Sequence, residues 1–98
     1  TFPSSINQIA KENLDNVILY PNPNYGELNL IAEIANDENL WIEIYDITGR
    51  TIHKVNKGEL KKGKHYFNFD IRTFNQGVYF IKISTQNKII ANKKFIKL

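Results

Sequence analysis

Alternation with a period of two, interrupted about every ten residues by turn-forming residues, is the feature that most restricts what this chain can fold into. ELNLIAEIA (27–35) places Leu28, Leu30, Ala32 and Ile34 on one face and Glu27, Asn29 and Glu33 on the other. KHYFNFDI (64–71) does the same, with His65, Phe67, Phe69 and Ile71 opposite Tyr66, Asn68 and Asp70. LWIEIYDI (40–47) reads as a strand too apolar to show one clean face. Shorter runs at 17–20 and 51–55, and longer ones at 77–85 and 88–98, bring the expected number of strands to seven. NDEN (36–39), Thr48-Gly49, the lysine- and glycine-rich NKGELKKG (56–63) and Gln86-Asn87 read as the turns and loops between them. Only INQIAKENL (6–14) has helical spacing, and it is short and uncapped. The expected fold is a seven-stranded, immunoglobulin-like β-sandwich of antiparallel Greek-key type. A five-stranded OB barrel is the rival, and it requires two of these strands to be loops.

Three local motifs fit that fold. YPNPNYGELNL (20–30) carries Pro21 and Pro23, each with φ fixed and no backbone donor, so it cannot lie in a central strand. It reads as a stiff corner delivering the chain into the strand that begins near Glu27, with Asn22 bonding its own backbone and Gly26 relieving the turn. In IYDITGR (44–50) the Asp46 carboxylate is placed to accept N–H groups of the Thr48–Gly49–Arg50 turn, Gly49 being free to take positive φ. FNQGVYFI (74–81) has the Asx–x–Gly–x–Tyr order of an immunoglobulin-like corner, in which the Tyr79 hydroxyl bonds back to the chain just upstream of Gly77. Isoleucine stands at 81, where antibody domains have a cysteine.

The chain has 98 residues, one domain's worth, and no methionine, so it is expected to be part of a longer protein. The polar residues 1–16 read as a linker and 17–98 as the domain. No apolar run approaches the ~20 residues of a membrane-spanning helix, and no signal peptide is legible at the start. The absence of cysteine excludes disulfides, thiolate metal sites and thiol nucleophiles. Charge is unevenly spread: residues 1–49 carry one base and eight acids, and residues 50–98 carry twelve bases and two acids. Such asymmetry can mark a surface for an anionic polymer. Acidic and basic strands that pair across one sheet explain it equally, and this is the expectation here.

Catalytic groups do not converge in the sequence, and the chain is read as no enzyme, with no cofactor and no nucleic-acid partner. His53 and His65 lie on different strands without a third ligand, and Ser4, Ser5 and Ser84 have no interpretable base. NDEN groups oxygen ligands that could hold calcium, or simply forms a solvated turn. Trp41, Tyr66 and Tyr25 are candidates for a carbohydrate platform, the function of an accessory immunoglobulin-like module. In NKKFIKL (92–98), Lys93, Lys94 and Lys97 surround Phe95 and Ile96. Lysines guard edge strands against pairing, and a terminal edge strand is also easily engaged by a partner or by a second copy of the chain.

Taken together, LYPNPNYGELNL (19–30), WIEIYDITGR (41–50), NQGVYFIKI (75–83) and KKFIKL (93–98) resemble, in order and spacing, the type A C-terminal sorting domain of the type IX secretion system. The resemblance covers residues 17–98. It implies an immunoglobulin-like sandwich borne by cargo exported across the outer membrane of Bacteroidetes. Partners would be the translocon with its outer-membrane shuttle barrel, and a cell-surface sortase that removes the domain and joins the cargo to lipopolysaccharide. The family pattern falls on Pro21, Asn22, Pro23, Gly26, Asp46, Gly49, Gly77 and Tyr79, with structural roles. It falls also on Lys94, Phe95 and Lys97 in the terminal segment, and Lys93, Lys94, Phe95, Ile96, Lys97 and Leu98 are the residues expected to be read by the translocon.

Overall fold

The computed structural model describes residues 16–86 and 88–98; the short helical pattern at 6–14, residue 87 of the expected Gln86-Asn87 turn and all of the expected linker except Asn16 lie outside the described residues. Seven strands follow one another, β1 (Asn16–Tyr20), β2 (Glu27–Ile34), β3 (Glu38–Asp46), β4 (Thr51–Leu60), β5 (Gly63–Asp70), β6 (Gly77–Ser84) and β7 (Ile89–Lys97). They form two antiparallel sheets, ordered β1-β2-β5 and β4-β3-β6-β7. This is the expected sandwich. The fourth strand pairs with the third, whereas in a constant-type immunoglobulin domain it lies beside the fifth.

The alternation acts as the sequence implies. Leu28, Leu30, Ala32 and Ile34 of β2 face Ile42, Ile44, Ile81, Ile83 and Phe95 of the larger sheet in one continuous core. β3 has a cleaner face than its composition suggests: Leu40, Ile42 and Ile44 are buried, and Trp41, Glu43 and Tyr45 alternate with them. The aromatic rings add apolar area on the outer side without joining the core.

The segment 56–63 departs from the expected loop. β4 runs on through Leu60, with register shifts against β3 between Leu40 and Trp41 and between Ile44 and Tyr45. Gly58, at φ 77°, provides the left-handed residue such a bulged strand needs, and its N–H donates to Asn56 Oδ1 at 2.7 Å. A glycine that breaks a simple strand pattern is the device that lets this one bend and continue.

Acids of the first half pair with bases of the second between neighbouring strands and loops. Lys82 meets Glu43 at 3.4 Å, Lys61 meets Asp37 at 3.5 Å and Lys88 meets Glu38 at 3.9 Å. Asp37 also accepts the Lys62 N–H at 2.8 Å, so the two carboxylates of NDEN are turned toward lysines.

Candidate recognition surface at the terminal strand

Of the motif residues, Asp46 and Tyr79 hold the sandwich's corners. Asp46 Oδ1 accepts from the N–H groups of Thr48 at 2.9 Å and Arg50 at 3.0 Å and from the Thr48 hydroxyl at 2.6 Å. The Thr48 hydroxyl, with the two backbone donors, holds the Asp46 carboxyl below its ordinary range. Gly49 sits at φ 91°, as that turn requires. The Tyr79 hydroxyl donates to the Asn75 carbonyl at 2.7 Å, closing the expected corner, and its ring stacks on Phe95 with centroids 5.6 Å apart.

The Pro-Asn-Pro-Asn segment does more than turn the chain. Both of its X-Pro bonds are cis, and the segment lies along the outer side of β7. Asn22 spans two β7 backbone groups, its Nδ2 donating to the Lys94 carbonyl at 3.2 Å and its Oδ1 accepting the Ile96 N–H at 3.1 Å. The Asn24 N–H donates to the Ile96 carbonyl at 2.7 Å, and the Leu98 N–H donates to the Asn24 carbonyl at 2.8 Å. Asn22 was expected to serve its own backbone; it serves a strand more than seventy residues away instead, at |i−j| of 72 and 74. The terminal strand is therefore not an open edge from Lys94 onward. Its outward backbone groups there are taken.

Asn24, which sequence reasoning did not single out, is the centre of this clamp. Its side chain is fully buried, donating to the carbonyls of Pro21 at 3.1 Å and Glu27 at 2.7 Å and accepting from the Gly26 N–H at 2.7 Å. The repeated Asn in PNPN is the only trace of it in the sequence. Gly26 answers a spatial need different from the one expected: a Cβ there would stand 2.6 Å from Arg72 Cγ. Its carbonyl meanwhile accepts the Ile71 N–H at 2.8 Å, so backbone and side chain must come close.

The six terminal residues divide by face. Phe95 is completely buried and Lys97 nearly so, its ammonium donating to the Leu98 carbonyl at 2.9 Å. Lys93 lies opposite the buried Ile81 and so shares the inward face, although it remains exposed at the rim. Inward-pointing charge on an edge strand resists addition of a foreign strand. Lys94, Ile96 and Leu98 face outward and are exposed. Beside Lys94, on the outer side of the larger sheet, a shallow hollow of about 370 Å³ is lined with Tyr45, Phe80 and Asn92. The Tyr45 and Phe80 rings stack at 5.5 Å there, and Asn92 Nδ2 donates to the Tyr45 hydroxyl at 2.8 Å.

The proposed carbohydrate trio does not converge. Trp41 is on the larger sheet beneath Lys54, whose Nζ stands 5.6 Å from the ring centroid, whereas Tyr66 belongs to the smaller sheet and Tyr25 to the loop before β2. The histidines stay apart too: His53 meets the Phe69 ring edge-on at 6.0 Å, and His65 stacks on Phe67 at 6.4 Å. Among the described residues, no three His, Asp or Glu side chains are grouped as metal ligands.

Comparison with known proteins gives the fold and the family. A DUF3244-family protein from Bacteroides vulgatus with an immunoglobulin-like β-sandwich fold superposes with a TM-score of 0.63 at 17% identity, over 84% of this chain and 83% of that one. No curated protein matches. The family model of the secretion system C-terminal sorting domain matches residues 18–98, the whole sandwich with its terminal strand, and the chain belongs to that family.

Proposed function

We propose that this domain is the address label of a larger cargo, and that the translocon reads the outward half of its terminal strand. Membership in the sorting-domain family supports a type IX secretion C-terminal sorting signal on cargo that passes the outer membrane to the surface or medium, and we read the domain's own role as non-catalytic. The observation that carries the finer reading is the division of β7 by face. Phe95 and Lys97 belong to the fold, while Lys94 stands exposed beside the Tyr45–Phe80 hollow with Ile96 and Leu98 exposed further along the strand, their backbone fixed by Asn22 and Asn24. The shuttle barrel would dock on this surface, and a surface sortase would then separate the domain from its cargo and join the cargo to lipopolysaccharide. The clamp makes pairing of two copies through β7 a poor competitor from Lys94 onward.

The test uses residues 17–98 fused behind a periplasm-directed fluorescent reporter in a type IX-competent bacterium. Deleting Lys93–Leu98 removes Phe95 and with it part of the core, so point changes are more informative. Lys94→Glu combined with Ile96→Ser should leave the sandwich folded and the reporter in the periplasm. Normal export of that variant would overturn the assignment of the read surface; failure of the unaltered fusion to leave the cell would overturn the sorting role itself.

A further inference from the structure

We infer that the outer face of the β1-β2-β5 sheet is a binding platform for a neutral oligosaccharide chain, a property independent of sorting. Register sets out this face row by row. Ile18, Ile31 and Tyr66 form one row and Tyr20, Asn29 and Asn68 the next, six residues without a formal charge bounded by Glu33 and Lys64 on one side and by Glu27 and Asp70 on the other. Tyr66 is 67% exposed, Ile18 55% and Tyr20 44%, far more than the residues that alternate with them, so these rings and chains are offered to solvent. Tyr20 and Tyr66 stand on the two flanking strands, about 10 Å apart across the sheet and two residues out of step along it. Flat rings at that separation suit the apolar faces of alternate, not adjacent, pyranose units of an extended chain.

Between the rings, Asn68 Nδ2 donates to Asn29 Oδ1 at 2.9 Å. That bond orients both amides and leaves each with further donors and acceptors directed to solvent. A dry protein interface would have to satisfy these groups individually, whereas sugar hydroxyls donate and accept at once. At the end of the same face a hollow of about 510 Å³ is lined with Tyr25, Gly26, Glu27, Asn68, Asp70 and Arg72. Its polar wall is an exposed ion pair. Arg72 Nε and Nη2 meet the two Asp70 oxygens at 2.9 and 2.8 Å, and the Arg72 N–H donates to Asp70 Oδ1 at 3.1 Å. Tyr25, 76% exposed, is the most open large apolar side chain among the described residues and lines this hollow. A ring beside a paired carboxylate and guanidinium is suited to the end of a sugar chain.

Charge borders this face at its two ends, whereas on the opposite face it sits at the aromatic ring itself. On the larger sheet the ammonium groups of Lys54 and Lys82 lie over or beside Trp41 and Glu43, where a neutral chain gains least.

The test titrates the 98-residue chain by calorimetry with cellohexaose, xylohexaose, mannohexaose and chitohexaose. At least one should bind, with affinity unchanged at high salt, and Tyr66→Ala should weaken it about tenfold while leaving the melting temperature in place. Tyr25→Ala should act similarly and Trp41→Ala should not. A flat response across all four sugars overturns the inference. So does binding lost with Trp41→Ala but kept with Tyr66→Ala, binding abolished by salt, or a dimer that buries Tyr66.

Discussion

The larger sheet ends in two edges that are protected by different means. β7 is closed by a distant segment of the chain, in which Asn22 and Asn24 occupy its backbone groups from Lys94 to Leu98. β4 is protected within itself, by two register shifts, a left-handed Gly58 and Lys57, whose ammonium lies 5.3 Å from the Phe67 ring and 5.9 Å from the Phe69 ring. Bulges and lysines are general devices that many sequences can supply. A clamp of two asparagine side chains on named carbonyls and amides is specific. The comparison explains why Pro21, Asn22, Pro23, Lys94, Phe95 and Lys97 gather at the β7 edge: its closure depends on particular atoms.

The difference can be strained first at its apolar anchor. Phe95→Ala empties a fully buried site between Tyr79 and the core, and should cost about 3–5 kcal/mol, most of the stability of a small domain. Thermal or urea unfolding checks it, and a loss under 1 kcal/mol, about the worth of a surface change, would place Phe95 outside the core. Asn24→Ala should cost about 1–3 kcal/mol, because buried partners such as the Gly26 N–H lose their acceptor. Exchange of the Ile96 and Leu98 amides, measured by NMR, should then rise toward that of the β4 edge. Unchanged protection would mean that Asn22 holds the strand alone.

The smallest effect separates the edges by pH. The Thr51 hydroxyl, then the Lys82 ammonium, holds the Glu43 carboxyl below its ordinary value, and Arg72 draws Asp70 down to about 2. A carboxyl whose folded value is depressed stabilises the fold above its unfolded value and loses that contribution as pH falls through the folded one. Between about pH 4 and 2 the β3–β4 and β5 contacts should therefore loosen modestly. The clamp, made of amides and carbonyls, has nothing to titrate. Amide exchange across that range should rise along β4 before it rises at Ile96, and the reverse order would contradict the assignment.

What could be read in the sequence follows from the range of the interactions. Alternation reports which face of a strand is apolar, so the buried sets of β2 and β5 and the seven-strand count are legible. The Asp46 turn and the Tyr79 corner close within four residues, and their partners are legible for the same reason. Asn22 meets its partners across the whole length of the domain, and nothing local distinguishes a bond to one's own turn from one to a strand at the other end. Gly26 was legible as a required glycine but not for its reason, since the neighbour that excludes a side chain is Arg72. The family pattern pointed to the terminal residues as a group, and only the fold separates Phe95 and Lys97 from Lys94, Ile96 and Leu98.

The parallel bridge between Asn24 and Lys97 joins the first corner of the domain to its last strand. A label whose last strokes are held in place by its first cannot be half written. Were the exposed side chains of β7 the text, a chain truncated, unfinished or misfolded anywhere in between would present no legible text at all. Legibility would then serve as proof of completion, certifying the carrier before it is dispatched.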